Sequence, residues 1–210
     1  MDTSQDFRIR MAEKAIAELE KLMQNVKVQR RKEFLKELKT MQSYVQVVKY
    51  SYMPPEQLAQ LSEFSNLVKK AWEIRNAIKN AEKDFNYVQA NYWLEYVESL
   101  PVLMTRGEIS RAYEAIRYFS GEITNRVEIG GLWLCTFDCN FRLDVVTNSE
   151  AFKPGRYAVV AYLPPRRFGD VVSEGMFVDA DLGKKGELSI DEIRGLDAGE
   201  VEAIILNILS

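Results

Sequence analysis

The sequence predicts an α+β protein, an N-terminal antiparallel helical domain followed by a small C-terminal β-barrel. Three observations predict it. Residues 1–106 contain no glycine, and their apolar residues recur at spacings of three and four, the period of a helix face. Beyond Gly121 the texture changes to short strand-like runs separated by Gly, Pro and Asn turn signals. The chain has 210 residues, 47% hydrophobic and 28% charged, enough for two independent cores and far from the composition of disordered chains.

In the first half, Phe7, Met11, Ala15, Leu19, Leu22 and Val26 form one apolar face. After a charged stretch, Leu35, Leu38, Met41 and Val45 continue it, so a first helix is expected to run as far as Tyr52. Pro54-Pro55 interrupts it, because proline cannot continue a helix. A second run from Leu58 through Phe64, Ala71, Ile78, Phe85 and Tyr92 to Tyr96 keeps the period. Two such long helices predict a hairpin or a coiled-coil-like pair. A shorter helix is expected over 107–119, with Ala112, Tyr113, Ile116 and Phe119 inward and Ser120-Gly121 as its stop.

The boundary is placed near Gly121, with a helical domain of residues 1–120 and a sheet domain of 121–210. Strands are expected at 122–129, 132–137, 141–146 and 157–163, with turns at Gly130-Gly131, Cys139-Asn140 and Pro154-Gly155. Short strands in so few residues fit a small closed barrel, and the OB-fold is one of the few of that size. A turn of helix at 190–194 and a last helix over 198–209 complete the chain.

The composition excludes whole classes of chemistry. Without histidine the commonest general base, the commonest zinc ligand and every His-dependent triad are missing. Cys135 and Cys139, four apart in a strand, lie roughly 13 Å from each other, too far for a disulfide. The start lacks the apolar core of a signal peptide and no apolar run has membrane-spanning length, so a cytoplasmic protein is expected. A net charge of −3 confines any polyanion site to a local patch. No catalytic constellation is visible, and neither metal nor cofactor is expected.

Residues 163–178, LPPRRFGDVVSEGMFV, carry a recognisable order: an apolar strand, a proline-rich basic turn at Pro164 to Arg167, then Val172, Ser173, Glu174, Gly175 and Met176. Upstream, Leu132-Trp133 opens one strand and Arg142 to Asn148 closes the next. Over residues 132–178 the chain resembles the tRNA-binding OB-fold domain found at the C-terminus of methionyl-tRNA synthetases and in free tRNA-binding cofactors. It departs from that family at Gly169-Asp170, where an Arg-Gly pair is common.

The resemblance implies a non-catalytic RNA-binding protein, a tRNA-binding cofactor acting with the translation machinery or an aminoacyl-tRNA synthetase. An OB barrel lines a groove with cations for phosphates and with polar or aromatic groups for splayed bases. Arg142, Lys153, Arg156, Arg166 and Arg167 are the candidate cations. Asn148 and Ser173 are candidate polar contacts, and Glu174 is carried over from the family's motif. Arginine suits this work because its guanidinium binds phosphate in a bidentate manner and stacks on bases. The bland reading is that the basic turn is merely solvated. Tyr157 and Tyr162 alternate in one strand, so at least one of them is expected outward.

Three other patterns weigh less. Residues 181–192 resemble a calcium-binding loop, but Gly183 and Lys185 stand where oxygen ligands belong, so a turn-rich connection is expected. Lys27, Arg30, Arg31, Lys32, Lys36 and Lys39 lie on one helix with Glu33 and Glu37 interleaved, either phosphate contacts or a wet helix face. Phe85, Tyr87, Tyr92, Trp93 and Tyr96 form a helical core or a partner interface. The helices are therefore expected to hold a second copy or another protein. The rival functions are a chaperone-like peptide-binding OB protein and a helical assembly scaffold with a degenerate barrel.

Overall fold

The computed structural model describes residues 3–210. The protein is α+β: helices fill the first half, and an antiparallel sheet follows. Two compact units divide it, one of residues up to Ala115 together with Leu206–Ser210, the other of Ile116–Ile205.

The helical unit is built from α1 (Phe7–Leu22), α2 (Arg31–Lys49), α3 (Ser62–Ile78), α4 (Phe85–Glu98) and the short α5 (Leu100–Met104). Helix α1 packs on α2 and α4, and α3 packs on the same two, which closes a ring of four. The expected pair of long helices is thus corrected to four of ordinary length. The first break falls at 23–30, where Met23 and Val26 turn inward and remain buried instead of extending the helix. The second falls at 79–84, where the Asp84 side chain accepts the Tyr87 N–H at 2.9 Å and starts α4 afresh. The helix expected over 107–119 is likewise absent. Pro101 sits in the first turn of α5, a 3₁₀ turn covers Ala112–Ala115, and the first strand already begins at Tyr118.

The core of this unit contains a charge. Arg8 is fully buried and donates to both carboxylate oxygens of Asp6, the cap of α1, at 3.0 and 2.6 Å, and to the Leu103 carbonyl at 2.9 Å. Buried ions persist only when paired in this way. Tyr92, Trp93 and Tyr96 are buried beside one another with edge-to-face rings, so this part of the aromatic cluster is core. The exposed rings are instead Tyr50, Tyr52 and Trp72.

In the second unit, strands β1 (Tyr118–Ile129), β2 (Leu132–Asp138), β3 (Arg142–Thr147), β4 (Tyr157–Phe168) and β5 (Val171–Val178) pair antiparallel in the order β3-β2-β1-β4-β5, and the two-residue β6 (Gly186–Glu187) joins β1. Among the described residues no backbone ladder joins β3 to β5, so the sheet is open where a closed barrel was expected. Alternate residues point to one core: Phe119 and Ile123 from β1, Cys135 and Phe137 from β2, Leu143 and Val145 from β3, Ala158 and Val160 from β4, and Phe177 from β5. The Phe152 and Phe177 rings stack at 4.4 Å across it.

Strand β4 runs five residues past its expected end. The prolines, read in the sequence as a turn, lie inside the strand, because the ladder skips them: Tyr162 pairs with Gly175 and Arg166 with Ser173, leaving Pro164 and Pro165 in a bulge that needs no N–H donor. The reversal itself is at Gly169-Asp170. After β6, Ser189 and Glu192 form a reciprocal cap for α6 (Ile190–Arg194), and α7 (Gly199–Leu209) ends the chain.

Candidate nucleic-acid interface

Although β3 and β5 share no ladder, they pack against each other, and side chains of β5 bridge the gap. The Ser173 hydroxyl accepts the Val146 N–H at 2.9 Å and donates to the Gly175 carbonyl at 2.9 Å. One Glu174 carboxylate oxygen accepts the Asp144 N–H at 2.9 Å, a charge-assisted bond. Gly175 is required by close approach: a Cβ there would lie 2.5 Å from the Ala161 carbonyl oxygen and 2.7 Å from a Val160 methyl. The Ser-Glu-Gly sequence is therefore the joint between two strands, and Ser173 is buried in it at 4% exposure.

Beside this joint opens a cleft of about 800 Å³. Val146, Leu163, Met176 and Phe177 supply apolar lining, Thr147, Asn148 and Ser149 a polar wall, and Arg166 the cation at one end. Phe168, two residues on in the same strand, shares that side and is exposed. The other end is acidic through Asp197 and Glu200 around the start of α7, and it also holds Asp179 after β5, whose charge is offset by Arg156. Arg166 is paired opposite Ser173, and Asp179 lies six residues farther along. At strand rise that separates the basic and acidic ends by roughly 20 Å.

Of the sequence candidates, the cleft brings together Asn148, Arg166 and Ser173. Arg142 lies elsewhere, its guanidinium held by Asp144 of the same strand through three hydrogen bonds of 2.9 to 3.0 Å. Arg156 bonds the Ala151 carbonyl and is ion-paired with Asp179. Lys153 is exposed and lies outside the lining, and Arg167, next to Arg166 in the strand, points to the opposite face. Glu174 is occupied at the joint. Tyr162 packs edge-to-face on Phe119 at 5.9 Å, and both it and Tyr157 are half-buried.

Arg166 makes no ion pair or hydrogen bond through its side chain among the described residues, in contrast to Arg117, Arg142, Arg156, Lys184 and Lys185. The surrounding unit is acidic, with ten lysines and arginines against fifteen aspartates and glutamates over residues 116–205. Sequence reasoning missed Phe168 and the acidic end. Alternation from Arg166 would have placed Phe168 beside it once the strand was carried past the prolines.

Burial pushes the Cys139 thiol up to about 11 and raises that of Cys135, so neither is a thiolate at neutral pH. Among the described residues no group of acidic or sulfur side chains has the arrangement of a metal site, and no helix is long and apolar enough to cross a membrane. Glu192, at the end of the calcium-loop-like stretch, is engaged by Lys184 and by the α6 cap.

A family model described as an alpha helical domain matches residues 1–107, which covers α1 to α5 and stops short of the sheet. No curated protein matches the chain.

Proposed function

The chain belongs to the alpha helical domain family, and we propose that it is a non-catalytic RNA-binding protein, a tRNA-binding cofactor of the cytoplasmic translation machinery, whose RNA site is the cleft beside the β3–β5 joint. We infer with it that the open sheet is an OB-type barrel, its last seam made by the side chains of Ser173 and Glu174 in place of backbone pairing.

The observation that carries the reading is the unpaired Arg166 with the exposed Phe168 on the same side of β4. A phosphate docks on the guanidinium and a base stacks on the ring, with Asn148 on the polar wall in position to meet a base edge. The carboxylates at the far end repel phosphates, so a strand enters with its backbone on the Arg166 side and its bases inward. Base amino groups are donors that Asp197 and Glu200 can accept. The helical unit serves as the attachment to a second copy or another protein.

Filter binding of the full chain to total tRNA tests this. Arg166→Glu is expected to weaken binding at least tenfold and to flatten the salt dependence by roughly 0.7 to 0.9 in log–log slope. Phe168→Ala should cost about 1 to 3 kcal/mol of affinity without changing that slope. Unchanged binding in both variants would overturn the reading. The acidic surplus favours one rival, a basic extended peptide in the same cleft, and peptide binding indifferent to Arg166→Glu with no tRNA binding would install it.

A further inference from the structure

A second cationic surface lies on the helical unit, at the end where the α1–α2 and α3–α4 connections meet. The Lys27–Glu82 ion pair at 2.6 Å ties those two connections together. Four of the acids nearby are already engaged, Glu33 by Arg30, Glu37 by Lys70, Glu82 by Lys27, and Asp84 as the cap of α4, which leaves Glu20 in the last turn of α1 as an uncompensated carboxylate against a larger number of cations. The cations left over are Arg31, which reaches only the Gln24 carbonyl, and the exposed Lys32, Lys36, Lys79 and Lys83. Among the described residues the ammonium groups of those four lysines make no hydrogen bond or ion pair.

Lys32 and Lys36 stand one turn apart on α2, and Lys39, also exposed and unpaired, continues the same stripe for a length of roughly 10 Å. The buried residues Phe34, Leu38 and Met41 face the other way. Ordinary surface lysines in this unit are neutralised, as Lys14 and Lys21 are by Glu18 and Lys69 is by Glu73. A cluster that retains its charge while its neighbours do not has the electrostatics of a phosphate-contacting surface.

We propose that this end of the helical unit binds the phosphate backbone of the same RNA that the cleft engages, an inference that rests on the reading above for the identity of its ligand. Its contacts are to phosphates alone, since lysine is a point charge on a flexible stem and the patch carries no exposed aromatic ring. It supplies affinity and orientation, leaving base discrimination to the cleft.

The test is filter binding of total tRNA to the full chain across a salt series, comparing wild type, the quadruple variant Lys32→Gln, Lys36→Gln, Lys79→Gln and Lys83→Gln, and Arg166→Glu. The lysines are exposed, and circular dichroism of the variant should match wild type. The quadruple variant is expected to lose about tenfold or more in affinity and to reduce the log–log slope by roughly 0.7 to 0.9 for each phosphate contact removed. An unchanged slope and affinity, with Arg166→Glu still impaired, overturns this surface and leaves the cleft standing. Loss in the lysine variant alone, with Arg166→Glu unaffected, keeps the surface and overturns the cleft. If wild type binds no tRNA, both fall.

Discussion

Ser173→Ala probes the joint between β3 and β5. The substitution deletes one buried hydroxyl and so removes two hydrogen bonds of 2.9 Å, one from the Val146 N–H and one to the Gly175 carbonyl. A buried polar group left without a partner costs about 1 to 3 kcal/mol. Here the orphaned atoms belong to the half-buried Val146 and Gly175, where water reaches part of each. The expected loss for the pair is therefore about 2 kcal/mol. In a unit of this size that corresponds to a melting temperature lower by roughly 8 to 16 °C. Urea unfolding of the full chain, followed through amide signals of the sheet unit in NMR spectra, measures it, and hydrogen exchange at Val146 localises it. Affinity for tRNA, measured well below the melting point, should stay within about twofold of wild type, since the hydroxyl is committed to the joint. A loss under about 0.5 kcal/mol with Val146 still protected would refute the account of the joint. Full stability with abolished tRNA binding would make Ser173 a contact residue instead.

Two further outcomes follow from the same geometry. Gly175→Ala should destabilise the sheet unit by about 2 kcal/mol or more in the same unfolding assay, because its Cβ meets a backbone oxygen at 2.5 Å, whereas Gly130→Ala, with open space around it, should show only backbone strain of about 1 kcal/mol. For the cysteines, a thiol raised to about 11 in the folded chain stays protonated while the unfolded one ionises near 9, so stability should hold up to about pH 9 and fall above it. Thiol labelling at pH 8 should be slow until urea unfolds the sheet unit, and rapid labelling of native protein would show the burial of Cys139 to be wrong.

What was legible in the sequence is what local pattern determines. Strands β1 to β3 follow from apolar runs bounded by turn residues, and Gly130-Gly131 sits in the turn where both residues have positive φ. The helix breaks were less legible because neither contains proline or glycine. The signal at the second was the Asp84 cap, and at the first a shift of apolar phase that only burial of Met23 and Val26 reveals. Pro164-Pro165 misled in the other direction, since a bulge lets a strand carry residues that a regular ladder would reject. Ser173 and Glu174 were found by resemblance, but which partner each hydrogen-bonds depends on β3 lying alongside, a contact of some 30 residues' separation. The acidic end of the cleft was out of reach for the same reason, because Asp179, Asp197 and Glu200 are unremarkable until the chain folds back.

The side-chain joint also governs how the sheet meets other chains. A strand with unsatisfied main-chain donors along its rim is a template on which a foreign β-segment can zip, the route to runaway aggregation and to many peptide complexes. On β3 the amides of Asp144 and Val146 are already taken by Glu174 and Ser173. Anything recruited to this region must accordingly be gripped through its substituents rather than annexed as an extra strand, which suits a polymer whose backbone has no amides to offer.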